Sequence, residues 1–298
     1  MEEFFLEVGP RLPGNSRTDF PEKFFTFAHM ATQYGVKAKK GLGQHFLADE
    51  SIAQRIVEGL ILPQDTEETL QVLEIGPGTG VLTKYMLQNP QIKLEVCEID
   101  TESIEYLQKT YPQMLYSLQQ RDFLQVPLEK IFSGDFAVIG NFPYNISSQI
   151  LFKVFDNRNR IPEVVGMFQK EVAERVAAKP GSKIYGILSV LLSVYYDIEY
   201  LFTVSEHVFN PPPKVKSAVI RLKRNGVKRL ECDEKLFVQV VKAGFNQRRK
   251  TLRNALKALN ISLDNVPDSY LQARAEQLSS QDFVALTSIL QNETIEIK

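Results

Sequence analysis

The sequence predicts an α/β fold, a mostly parallel sheet with helices on both faces, followed by a small all-helical part. Three observations carry that expectation. Short apolar runs alternate with stretches of helical period from about residue 70 to residue 176, the pattern of strands joined by crossover helices. A glycine-rich turn joins the first of these strands to the first helix. After about residue 225 no strand pattern remains and only helical spacing follows.

Taken in order, "DESIAQRIVEGLIL" sets Ile52, Ile56, Val57, Leu60 and Ile61 at helical spacing behind Asp49 as cap. "LQVLEIG" reads as a strand and "VLTKYMLQ" as a helix. "IKLEVCEID" is the next strand, and "TESIEYLQKTY" a helix opened by Thr101. "LYSLQQRD" and "FAVIGN" are further strands, and "SSQILFKVF" is a helix. "EVVGMFQKEVAERV" runs from strand into helix. "IEYLFTV" and "KSAVIRLK" read as a closing antiparallel pair, which brings the sheet to seven strands. "EKLFVQVVKAGF", "KTLRNALKAL" and "SQDFVALTSILQ" are then helical, with Ser279 and Asp282 as a capping box. The expected division is an N-terminal extension over 1–35, the α/β domain over 36–226 and a helical domain over 227–298. The first 29 residues mix Pro, Gly and Phe without a period and begin acidic. They read as a flexible tail, neither signal nor transit peptide, with Met30 as a candidate start.

With 298 residues, 44% of them hydrophobic, the chain can bury a full core. No apolar run approaches the ~20 residues of a membrane span. Cys97 and Cys232 are too few for a disulfide framework and read as core thiols of a reducing compartment. Three histidines without Cys/His spacing give no zinc pattern. The net charge of −1 hides an asymmetry: residues 214–257 hold fourteen Lys/Arg against three acids, +11, leaving −12 for the remainder. Such a block is either a solvated face or a surface for a polyanion.

In "VLEIGPGTGVLT", Gly76, Gly78 and Gly80 lie between strand and helix. Tight packing alone would explain such a turn, and so would a backbone approached by a ligand. The dinucleotide fingerprint needs Gly or Ala where Val81 stands; the G-x-G-x-G form is similar to the loop of S-adenosylmethionine enzymes. Glu98 ends the next strand, 22 residues after Gly76, where a carboxylate accepts from ribose hydroxyls. Asp122 ends the third strand and can accept from an adenine amino group, with Phe123 packing near the ring.

The fourth strand ends in "GNFPYN". An aromatic exocyclic amine is a poor nucleophile because its lone pair is delocalised into the ring. Two acceptors aimed at its N–H groups free that pair. The Asn141 side-chain oxygen is one, and a backbone carbonyl fixed by Pro143 is the other. Tyr144 offers a face for stacking a base, worth ~1–3 kcal/mol. Asn141, Phe142, Pro143 and Tyr144 are therefore the catalytic candidates. No metal is called for.

"GLGQHFLAD", "EIGPGTG", "CEID", "RDF" and "NFPYNISS" together resemble the ribosomal RNA adenine dimethyltransferase family. "FQKEVAERVAAKPGSKIYGILSV", "FNPPPKVKSAVIRL" and "FNQRRKTLRNAL" extend the match over roughly residues 36–290. The resemblance implies a Rossmann-like class I methyltransferase using S-adenosylmethionine and dimethylating two adjacent adenosines near the 3′ end of small-subunit rRNA. It implies that Gln44, His45 and Leu47 lie over the methionine end, Gly76 at the cofactor backbone, Glu98 at the ribose and Asp122 at the adenine, with Asn141 between cofactor and target. Tyr144 and Phe209 would sandwich the flipped adenine. Arg248, Arg249 and Lys250, expected on an amphipathic helix, would reach RNA phosphates. The family commonly has Asn where His45 stands. A monomeric, cytoplasmic enzyme that acts on pre-ribosomal 30S particles is the implied whole. The rival readings are a large-subunit rRNA methyltransferase of the resistance type, a DNA adenine methyltransferase, and a non-catalytic ribosome-assembly or transcription factor.

Overall fold

The structure, a computed structural model, describes residues 35–64 and 67–296; the reading made for the first 29 residues lies outside the described residues.

Seven strands form one sheet. In chain order these are β2 (Leu70–Ile75), β3 (Ile92–Glu98), β4 (Leu118–Gln120), β5 (Ala137–Asn141), β6 (Glu163–Gln169), β7 (Tyr196–Val204) and β9 (Ser217–Arg224). Their spatial order is β4-β3-β2-β5-β6-β9-β7. The pairs from β4 through β6 are parallel, and β9 runs antiparallel to both neighbours. The order in which strands are added reverses between β2 and β5, the switch point where ligands bind in doubly wound sheets. A separate two-stranded ribbon joins β1 (Phe46–Leu47) to β8 (Phe209–Asn210).

The runs read as fully buried strands divide their residues between two cores with a period of two. On one face lie Leu73, Ile75, Val138, Val164, Phe168 and Ile220. On the other lie Val72, Ala137, Ile139, Val165, Met167 and Val219. Helix α1 (Glu50–Val57) covers the second face through Ala53 and Ile56. As expected, the Asp49 carboxylate caps it, accepting from the Ser51 and Ile52 N–H groups at 2.9 and 3.1 Å. Short α2 (Thr83–Leu87) follows the glycine turn, α3 (Thr101–Thr110) joins β3 to β4, and α4 (Ser147–Asp156) follows β5. Thr101 is not the cap of α3; Asp100 holds that position, with its carboxylate turned elsewhere.

After α5 (Lys170–Val176) and α6 (Ile187–Ser193) come the closing strands, then α7 (Glu234–Asn246), α8 (Leu252–Ala255), α9 (Asp268–Leu271) and α10 (Ser280–Glu296). Ser279 and Asp282 form the expected box, each accepting the other's backbone N–H. These helices share one hydrophobic cluster with the first sheet face: Phe237, Val241, Phe283 and Leu286 join Leu191 and Tyr195. The stretch expected as a single helix over 250–259 is broken. Only α8 is α-helical, and a 3-10 turn carries the chain to Asn260 in the left-handed region (φ 52°).

Phe142 fixes the end of β5. Its ring is 1% exposed and lies over two bare backbone positions, because a Cβ on Gly166 would come within 2.3 Å of it and one on Gly140 within 2.7 Å. Gly166→Ala must therefore push the ring out of its seat. The expected cost is about 1–3 kcal/mol, read as a lower midpoint in thermal unfolding, with methyl transfer falling more than the stability loss accounts for.

Candidate active site

Four of the five parallel strands, β2 to β5, each bring a candidate element to one cleft at the carboxyl edge of the sheet. Gln44, His45, Leu47, Gly76, Glu98, Asp122, Asn141, Pro143 and Tyr144 all line it. The strand-end residues Gly76, Glu98, Asp122 and Asn141, singled out in the sequence by motif, spacing and position, thus lie together in one cleft.

The three glycines of the first turn have different tasks. All take left-handed backbone, φ 67°, 56° and 80°. A Cβ on Gly78 would strike the Phe46 ring at 2.7 Å, and one on Gly80 the Tyr111 ring at 2.7 Å. Those two make room for protein. A Cβ on Gly76 would meet only Pro143, at 3.8 Å, and would otherwise stand in the cleft. Gly76 is the glycine that leaves space for a ligand.

Glu98 is 4% exposed. Its Oε1 accepts from the Ile99 and Asp100 N–H groups at 2.8 and 2.9 Å, and Oε2 accepts from Gly78 N–H at 3.2 Å. Burial outweighs these donors and holds its pKa above the ordinary carboxylate value. Asp122 accepts from Leu124 N–H and Gln125 Nε2, each at 2.9 Å. The loop after Asp122 is pinned by Lys153 of α4, whose ammonium donates to the carbonyls of Phe123 (2.5 Å) and Val126 (2.6 Å). Sequence reasoning did not find Lys153; a single lysine inside an amphipathic helix carries no signal of that task.

Asn141 donates from Nδ2 to the His45 carbonyl at 2.9 Å, so its Oδ1 is the end left for a substrate amine. Phe142 supplies no side chain to the cleft's chemistry: its ring is a buried anchor, and its N–H donates to Met167 O at 3.1 Å. The carbonyl that precedes Pro143 is thereby fixed. Tyr144 is held at its far end by a hydrogen bond with Ser217 Oγ, and Ser217 is itself fully buried.

Two expectations need correction. Phe209 does not face Tyr144. It pairs with Leu47 in the β1–β8 ribbon and is 0% exposed, so its ring belongs to the core. The ring opposite Tyr144 is His45, stacked at 5.4 Å between centroids, with its Nδ1 2.8 Å from Pro211 O. Arg248, Arg249 and Lys250 are not helical. Helix α7 ends at Asn246, and they form the turn before α8. The turn is forced because Leu252 N–H donates to Ala273 O and Thr251 bridges Arg274, which draws the chain off the helix axis. Within it Arg248 is committed to the protein, donating to Ser182 O at 3.1 Å, while Arg249 and Lys250 are exposed. Gln44 also works inside the protein: its Oε1 accepts from Lys39 N–H at 2.8 Å.

The sheet order, the ligand-facing Gly76, the buried Glu98 and the Asn-Phe-Pro-Tyr turn define a class I S-adenosylmethionine-dependent methyltransferase that acts on an amino group. The chain belongs to the ribosomal RNA adenine dimethylase family, whose model matches residues 35–292. It is 62% identical over 255 residues to "Ribosomal RNA small subunit methyltransferase A" of Cytophaga hutchinsonii, covering 86% of this chain and 98% of that protein. The protein of the same description from Parabacteroides distasonis is 58% identical over 259 residues, covering 86% and 95%. Among solved structures, a dimethyladenosine transferase from Plasmodium falciparum superposes with a TM-score of 0.66 at 26% identity, covering 81% of this chain and 96% of that one. The 23S rRNA methyltransferase ErmE shares the fold, with a TM-score of 0.58 at 23% identity over 81% and 99%.

The residues present fit the cofactor. Glu98 would hold the ribose, Asp122 the adenine and Gly76 the chain between them, and Ile99, 52% exposed on the rim, adds an apolar surface that the sequence reading passed over. One further carboxylate lies in the cleft wall: Glu74, 1% exposed, accepts from Thr83 Oγ1 at 2.6 Å. Burial raises its pKa from the ordinary 4.5 to about 8. A folded-state pKa above the unfolded one means that the folded chain holds the proton longer, so stability falls as pH rises from 4.5 towards 8. Glu74→Gln should remove that decline, and chemical denaturation at a series of pH values checks it: a variant curve parallel to the parent's refutes the assignment.

Proposed function

We propose that this chain dimethylates N6 of two adjacent adenosines near the 3′ end of small-subunit ribosomal RNA, and that it does so as a cytoplasmic monomer on pre-ribosomal 30S particles. The observation that carries the chemistry is the orientation of Asn141. With Nδ2 engaged by the His45 carbonyl, Oδ1 is presented as an acceptor, and the carbonyl before Pro143 is the second. S-adenosylmethionine, when bound, supplies a methyl group on a sulfonium, already a good leaving group. The protein's work is positioning. Oδ1 and the carbonyl take the two amine N–H groups and localise the lone pair on nitrogen. With the cofactor bound, the N6 lone pair so exposed would be placed to accept its methyl group, and N6 would give up one proton with each transfer. Tyr144, steadied by Ser217, carries the base on its face, and placement of this kind supplies several kcal/mol.

Small-subunit RNA is favoured over the large-subunit alternative by the relatives described as small-subunit enzymes at 62% and 58% identity. A non-catalytic reading is disfavoured by the complete set of Asn141, Pro143, Tyr144 and Glu98 in one cleft. RNA as the polyanion fits the exposed cations of the basic block. Lys214 and Lys216 are exposed just before Ser217, the residue bonded to Tyr144, and Arg249 and Lys250 are exposed in the α7–α8 turn.

Asn141→Ala should lower turnover roughly 10²–10³-fold while the unfolding midpoint stays near the parent's. Mass spectrometry of 3′ small-subunit rRNA fragments reads the product, and near-normal dimethylation by the variant would sink the mechanism. Replacing Arg249 and Lys250 together by Glu should weaken particle binding and flatten its dependence on salt by roughly two in log–log slope. Filter binding over a salt series checks this; an unaltered slope would leave the pair as a solvated face.

A further inference from the structure

Residues 39–47 run along the cleft as a strap, lining it from Leu42 to Leu47, and contacts at both ends and in the middle hold it. At one end β1 pairs with β8, and Ala48 N–H donates to Val208 O at 2.8 Å. In the middle the His45 carbonyl accepts from Asn141. At the other end the Lys39 ammonium meets the Asp100 carboxylate and, at 3.2 Å, that of Glu102, and Gln44 Nε2 lies 3.4 Å from the Asp100 group. Lys39 and Gln44 are tied to each other, since Lys39 N–H donates to Gln44 Oε1.

Asp100 has only 1% of its side chain exposed, against 39% for Lys39. A carboxylate buried to that degree costs several kcal/mol unless it is paired and hydrogen-bonded. Here Lys39, Gln44 and Ser103 Oγ (2.9 Å) share it. Its backbone faces the other way, with the Asp100 N–H donating to Glu98 Oε1 at 2.9 Å. One residue thus grips the strap through its side chain and the ribose-side carboxylate through its main chain.

We infer that Asp100 is a positioning residue: the Lys39–Gln44–Asp100 cluster locks the strap along the cofactor cleft and so fixes the His45 carbonyl that orients Asn141. Asp100 touches no reacting atom. It acts at one end of the strap by holding the cofactor in, and at the other by keeping Oδ1 of Asn141 turned to the target amine. The inference rests on the cleft being the cofactor site but not on which RNA is methylated.

The test is calorimetry of the full chain with S-adenosylmethionine alone, on Lys39→Met, Asp100→Asn and the double variant. Each single change should raise Kd roughly tenfold, and the double should be no worse than either single, because both remove one anchor. At saturating cofactor the same variants should lose turnover with the KM for RNA unchanged, and Lys39→Arg should restore both quantities. Lys39 is partly exposed, so Lys39→Met keeps the question answerable if Asp100→Asn fails to fold. Unchanged Kd in Lys39→Met, or additive losses in the double variant, would overturn the inference. A parent chain that did not bind the cofactor at all would overturn the cleft assignment and this inference with it.

Discussion

The placement of the candidate catalytic groups at the end of β5 traces back to one packing constraint, the seat of the Phe142 ring over the bare backbones of Gly140 and Gly166. A strand end is ordinarily the least determined part of a sheet. Here the residue that leaves β5 is locked from the side by its ring and along the ladder by its N–H bond to Met167. The asparagine before it and the carbonyl after it inherit that rigidity. Protein interiors are dense enough that a ring with no free volume does not drift, and a site that works by placement needs such an anchor more than it needs a reactive side chain.

A second layer lines the cleft at that rigid edge. The strap over residues 39–47 comes from far off in sequence, yet it contacts the end of β3, the end of β5 and the β8 strand. The α4 helix adds a lateral brace through Lys153, which steadies the loop after Asp122. Cofactor side and target side are therefore parts of one hydrogen-bonded frame. Of the basic block, Arg221, Arg224 and Arg248 are engaged by the protein, whereas Lys214, Lys216, Arg249 and Lys250 lie exposed in loops and turns, as phosphate contacts require.

Much of this was legible in the residues. Strand runs with a period of two inside continuous apolar stretches gave the two-faced sheet, and strand-end features at Gly76, Glu98, Asp122 and Asn141 converge as spacing and motif suggested. What failed did so for physical reasons. Phe209 was expected in the cleft on the resemblance alone, and its pairing with Leu47 takes it into the core. The basic run 248–250 has helical composition, but tertiary bonds from Leu252 and Thr251 override that propensity. The Thr101 cap was misplaced by one residue because Asp100 spends its carboxylate on the strap. Lys39, Lys153 and Ser217 were missed since each acts through a partner more than sixty, about thirty, or seventy-three residues away, a relation no local pattern encodes.

The stacked pair His45 and Tyr144 has one more consequence. The face that should receive a base already carries a ring of comparable shape, tethered by Pro211 O. An incoming adenine gains only the difference between two stacking energies, which for similar rings is small. Under the proposed function a free nucleobase would have little to offer this surface, whereas a long polyanion held at Arg249 and Lys250 would bring attraction from elsewhere to displace the resident ring. The site is built to answer to the size of its ligand before its chemistry.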